Sequence, residues 1–90
     1  MDLSRIELLL GKKAIEKLKA SKVLVVGLGG VGGITAEMLV RSGVGNIAIL
    51  DFDIIASSNL NRQVVTTEEN IGKLKVDELA KRLKAINSEL

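Results

Sequence analysis

The run "KVLVVGLGGVGG", Lys22 to Gly33, constrains the fold of this chain more than any other part of it. Val23 to Val26 is an unbroken apolar stretch rich in β-branched residues, which predicts a strand buried on both faces. Gly27, Gly29 and Gly32 follow at once as G-x-G-x-x-G. In that pattern the first glycine permits the tight turn. The second lets phosphate approach the backbone, and the third lets helix and strand pack closely. A helix is expected from about Gly33 to Ser42, with Ile34, Met38 and Leu39 available for the core and Gly43 as its stop. Ile47 to Leu50 is a second strand candidate, ending at Asp51. Strand, glycine turn, helix and strand make a βαβ unit with parallel strands.

The free N–H groups at the start of such a helix can face an anion. The same glycines also suit a tight turn without a ligand. Asp51, roughly twenty residues beyond Gly32, is placed to accept hydrogen bonds from ribose hydroxyls. It does not separate NAD from ATP, because both carry an adenosine ribose. The stretch that follows, "DFDIIASSNLNRQ", can separate them. Cleavage of ATP between its α and β phosphates needs cationic groups where charge develops. An arginine such as Arg62 forks onto phosphate oxygens, and a lysine such as Lys75 supplies a point charge. Asn59 can fix nucleotide oxygens through its amide. By spacing alone, Arg62 and Lys75 equally suit a solvated surface.

Composition removes other chemistries. The 90 residues contain no cysteine and no histidine, so thiolate nucleophiles, disulfides and Cys/His zinc sites are excluded within them. The only aromatic residue is Phe52, which argues against base stacking and makes the core aliphatic. A net charge of +2 is too balanced to point to a nucleic-acid or membrane surface. The charged N-terminus is no signal peptide, no apolar run has membrane-span length, and a cytoplasmic location is the expectation.

Around the βαβ unit, "LSRIELLLG" reads as a short helix with Ser4 and Glu7 as a capping box, broken at Gly11. Lys12 to Ala20 is a second amphipathic piece with Ala14, Ile15 and Leu18 on one side. Beyond Asp51, Val64 and Val65 suit a brief extended piece, and Thr66 and Glu69 have capping-box spacing. From Lys73 onward, Val76, Leu79, Leu83, Ile86 and Leu90 form one helical stripe for packing. Asp77–Lys81 and Glu78–Arg82 are spaced as pairs on its exposed side. A doubly wound domain needs a third strand, and none follows. The expected architecture is therefore α/β: helices, one βαβ unit and a further helix, forming the N-terminal portion of a Rossmann-like, doubly wound parallel sheet. Residues 1–90 are expected to be the N-terminal segment of a larger domain, the rest of which they do not include.

"VLVVGLGGVGG", "RSGVGNIAILDFD", "SNLNRQ" and "IGKLK" occur in an order and spacing that resemble the ThiF/MoeB/HesA superfamily, bacterial relatives of ubiquitin-activating enzymes. The likeness runs from Arg5 to Asn87. It implies an enzyme that attacks ATP at the α-phosphorus with a carboxylate, giving an acyl-adenylate and pyrophosphate. Gly27, Gly29, Gly30 and Gly32 match the phosphate-proximal loop, and Asp51 the ribose acid. Asn59, Arg62 and Lys75 match residues that hold ATP and stabilise its phosphates. Arg5 matches an arginine that reaches the neighbouring subunit's phosphates, which implies a homodimer. Asp53 matches an acid of the family pattern without a firm role. The family's Mg2+-binding aspartate has no counterpart in these residues, so no metal ligand is assigned here, and the 90 residues alone are expected to bind ATP weakly and not turn it over.

Two subgroups compete for the substrate. "RIELLLGKKAIEKLKASKV" and "RLKAINSEL" resemble dehydratases acting on threonylcarbamoyladenosine in tRNA. Val64-Val65, Leu74 and Ser88 depart from that pattern. The other subgroup adenylates the C-terminal glycine of a ubiquitin-like sulfur carrier protein. An NAD-dependent oxidoreductase would rest on the glycine turn and Asp51 alone, and a non-catalytic dimerisation module would keep the fold without the chemistry.

Overall fold

The computed structural model describes all 90 residues. Helices α1 (Ser4–Leu10) and α2 (Lys12–Ala20) lead into strand β1 (Lys22–Val26), helix α3 (Gly30–Arg41), strand β2 (Asn46–Leu50) and, after a long connection, helix α4 (Lys75–Ile86). The connection contains two 3-10 turns, Ser57–Asn59 and Glu68–Asn70.

β1 and β2 pair in parallel, with Val23 opposite Ile47, Val25 opposite Ile49 and Val26 opposite Leu50. Side chains alternate between the two faces of a strand. Val23, Val25, Ile47 and Ile49 join a core completed by Ala36 and Val40 of α3 and Leu79 and Leu83 of α4. The expectation of strands buried on both faces fails on the other side: Leu24 and Val26 are 61% and 66% exposed. Both long helices cover one face, and no element covers the second.

Helix α3 begins at Gly30, a turn earlier than the sequence indicates. Its inward face is Gly33, Ala36, Glu37 and Val40. Ile34 and Met38, expected in the core, are half-exposed. Apolar residues surround this helix, so periodicity could not select a face; close approach selects the smallest ones. A Cβ at Gly33 would come within 2.8 Å of the Leu28 carbonyl oxygen. On α4 the predicted stripe is buried at Leu79 and Leu83, with Val76, Ile86 and Leu90 packed beside them.

Three local expectations are corrected. Ser4 lies inside α1 rather than capping it, and its N–H donates to Asp2 Oδ1 at 2.8 Å. Val64 and Val65 form a turn, not an extended piece. Thr66 and Glu69 form no cap. Instead Asn70 braces that turn, its Oδ1 accepting from the Thr67 N–H and its Nδ2 donating to the Val65 carbonyl. Short polar side chains bond whichever backbone group the turn leaves within reach, so spacing alone misplaces the partner. No helix is long and apolar enough to cross a membrane.

Candidate nucleotide site

The site forms where β1 and β2 end. Gly27 takes a positive φ of 83° and Gly30 one of 44°, conformations open to glycine. Gly32 is required for a different reason: a Cβ there would collide with the Gly27 carbonyl oxygen. In this turn the Gly27 N–H continues the ladder to the Leu50 carbonyl, and the Leu28 N–H donates to Asp51 Oδ2 at 2.7 Å. The N–H groups of Gly29, Gly30 and Val31 have no partner in the chain. They open α3 and form an anion-binding set.

Asp51 ties the strand ends together. Its Oδ2 takes the Leu28 N–H and its Oδ1 the Asp53 N–H, the latter also at 2.7 Å. Burial pushes this carboxyl up. The hydrogen bonds from Leu28 and Asp53 and the charge of Lys75 more than offset that, and hold it below the usual carboxylate range. Asp51 is thus anionic at neutral pH, with a second lone pair on each oxygen available to ribose hydroxyls.

Lys75 is 5% exposed, at the first turn of α4. Its N–H donates to the Asp53 carbonyl, and its ammonium lies 3.8 Å from Asp53 Oδ2. That Asp53 carboxylate is three-quarters exposed, so the pair is loose and the ammonium retains capacity for a further anion. Burial rather than solvation of Lys75 is what the α4 packing decides. Spacing along the chain could not.

The "SNLNRQ" segment crosses the first turns of α3. The Asn59 carbonyl accepts from both the Arg62 and Gln63 N–H groups. Asn59 Oδ1 accepts from the Ala56 N–H at 2.9 Å, and Nδ2 has no partner. Asn59 therefore shapes the loop, with only its amide nitrogen free for a ligand. Arg62 is exposed and folds back on this loop, donating to the Ser58 carbonyl at 2.7 Å and to Asn61 Oδ1. Gln63 and Val64 lie over Gly29 and Gly33.

Gly27, Gly29, Gly30, Gly32, Asp51, Asn59 and Lys75 are thus assembled around one end of the sheet, with Arg62 at its rim. Arg5 is not among them. It is exposed on α1, and Leu3 beside it packs on Gly43, at the far end of α3. Sequence reasoning gave Gln63 no role, although it is buried against the glycine turn. The string of polar residues after Asp51 was its only signal. No three acids, histidines or cysteines converge. Asp51 and Asp53 are the only acids at this end of the sheet and Asp53 faces Lys75, so these residues do not by themselves make a ligand set for a divalent cation such as Mg2+.

Parallel strands, a glycine turn opening a helix, and an acid at the end of the second strand define a Rossmann-like α/β segment. The chain belongs to the ThiF family, whose model matches residues 3–90. It is 46% identical over 86 residues to a tRNA threonylcarbamoyladenosine dehydratase of Bacillus subtilis, covering 96% of this chain and 34% of that protein. It is 45% identical over 75 residues to a molybdopterin-synthase adenylyltransferase of Haemophilus influenzae, covering 83% of this chain and 31% of that protein. The crystal structure of the Escherichia coli dehydratase TcdA in complex with ATP superposes with a TM-score of 0.94 at 37% identity, covering 97% of this chain and 36% of that one. The chain thus spans about a third of the length of these relatives.

Proposed function

We propose that this chain is the nucleotide-binding segment of an enzyme that adenylates a carboxylate with ATP. A carboxylate oxygen attacks the α-phosphorus. The bond from that phosphorus to the bridging oxygen breaks, and pyrophosphate leaves with the electron pair. The observation that carries this reading is the convergence of a buried Lys75, the ribose acid Asp51 and the three free N–H groups of Gly29 to Val31. A dinucleotide oxidoreductase gives Lys75 and the Arg62 loop no task.

In this reading Asp51 accepts from the ribose hydroxyls and the glycine turn cradles phosphate. Lys75 stabilises charge developing between the α and β phosphates, as a preorganised cation in a partly dry site. Arg62 swings from the Ser58 carbonyl onto phosphate, which its exposure permits. Arg5 reaches the phosphates of a second subunit in a homodimer, consistent with its distance from its own glycine turn. The carboxylate is that of threonylcarbamoyladenosine in tRNA, a reading supported by the 46% identity to the B. subtilis dehydratase. The similarity to the molybdopterin-synthase adenylyltransferase keeps a ubiquitin-like carrier's C-terminal glycine as the second reading.

Pyrophosphate–ATP exchange on the protein carrying this chain tests both. Exchange that depends on threonylcarbamoyl-modified tRNA is expected. Exchange dependent on the carrier instead would move the substrate, and tighter binding of NAD than of ATP, unaffected by Arg62→Ala, would overturn adenylation itself.

A further inference from the structure

Asp53 has no task in the adenylation reading, yet it touches both Asp51 and Lys75, the two side chains that reading leans on. Its N–H donates to Asp51 Oδ1 at 2.7 Å, and its carbonyl accepts the Lys75 N–H at 3.1 Å. One residue thus sets the spacing between the strand-end acid and the lysine. The residues after it join the start of α4 to the same loop. Ile54 bridges Leu74, the Ile55 N–H donates to the Lys73 carbonyl, and the Gly72 N–H donates to the Ile55 carbonyl. All of these bonds are main-chain, and the Asp53 carboxylate takes no part in them.

That carboxylate is instead the counter-charge of Lys75. It lies 3.8 Å from the ammonium, too far for a hydrogen bond, and no other carboxylate comes within 4.0 Å. The pair is lopsided: the Lys75 side chain is 6% exposed and that of Asp53 75%. A lysine near the surface ordinarily carries its ammonium out to water, because burial penalises charge. Here the ammonium stays beneath the surface and faces an acid that itself remains solvated. Charge therefore fixes where this head group points. An incoming anion can share it without breaking a hydrogen bond.

We propose that Asp53 is the positioning residue for Lys75: its carboxylate orients the ammonium before ATP arrives and yields it in part to phosphate. This rests on the adenylation reading above and adds to it the group that orders its cation. Without Asp53 the lysine has to be ordered during the reaction, at a loss of side-chain entropy. A cation already in place meets the developing charge without that loss. The plainer role for Asp53 is to complement the positive end of α4, which would leave catalysis untouched.

The test is pyrophosphate–ATP exchange by the protein carrying this chain and by its Asp53→Asn and Asp53→Glu variants, beside melting temperatures. The carboxylate used is whichever supports exchange in the parent, threonylcarbamoyl-modified tRNA or the carrier protein. Asp53→Asn keeps the shape and the main-chain bonds and removes the charge. Its kcat is expected to fall about ten- to thirtyfold, as ordering one lysine side chain demands. Its KM for ATP should stay within about threefold, because the lost ordering is offset by removal of a screened negative charge near the phosphates. Asp53→Glu should recover most of the kcat, since the exposed position has room for the longer side chain. An unchanged kcat in Asp53→Asn with a lower melting temperature would make Asp53 a helix-end charge and overturn the proposal, leaving adenylation standing. So would parallel losses of kcat and ATP affinity that Asp53→Glu does not recover. A parent protein that shows no exchange with either carboxylate would overturn both.

Discussion

Glu37 and Asp51 are both buried or half-buried acids held below their ordinary carboxylate range, but their surroundings differ in kind. Glu37, in the middle of α3, is closed on both oxygens by arginines: Arg82 of α4 on Oε1 and Arg41 of its own helix on Oε2 at 3.2 Å. Hydrogen bonding from Arg82 lowers it more than burial raises it. The cluster uses its charge to join α3 to α4 and leaves little for a ligand. Asp51 is held by backbone N–H groups, and the turn it ties down carries three free amides, with a loosely paired lysine nearby. Completed pairing marks a structural cluster. Unused hydrogen-bonding capacity at one helix N-terminus is what supports the proposed nucleotide site.

Substitutions can break or sharpen that contrast. The largest effect is expected at Lys75→Met, which should cut adenylation about 100- to 1,000-fold, as removal of a preorganised charge does elsewhere, with little loss of stability. Single-turnover adenylation beside urea unfolding would separate the two. Glu37→Gln should do the reverse, lowering unfolding stability by about 1–2 kcal/mol with ATP affinity unchanged. Its pH dependence follows from the lowered carboxyl. The stabilisation is fully present above the unfolded value of 4.5 and is lost as pH falls through the lower folded value. Acid titration of Glu37→Gln should therefore lose part of the parent's stability change below that pH, while both proteins remain parallel above it.

A smaller effect separates the two loop glycines. Gly29→Ala should destabilise by about 1 kcal/mol through contact with the Gln63 side chain, and Gln63→Ala in the same protein should relieve it. Gly32→Ala meets backbone and should not be relieved. The smallest change is expected at Asp77→Asn, within about 0.5 kcal/mol by thermal melting, because no ion pair to Lys81 forms.

Much of the site was legible because it is local. The glycine turn, the strands on either side and Asp51 follow from a period change and one strand-end acid. The α4 stripe was legible for the same reason. Arg82 was not: its spacing from Glu78 fitted an exposed pair, but Glu37, distant in sequence, is the carboxylate it meets. Met38 was misplaced because α3 is apolar on every side, and only contact with the sheet and α4 could rank its faces.

The sequence by itself determined the order of elements, the glycine-bearing turn and the family, because each is written in spacing along one short stretch. Tertiary structure decided that Lys75 is buried beside Asp53, that Arg5 stands apart, that Leu24 and Val26 face outward, and that Gln63 rests on Gly29. Those outcomes depend on which surfaces meet when α3 and α4 settle on the same face of the sheet. Burial and long-range pairing come only from that meeting.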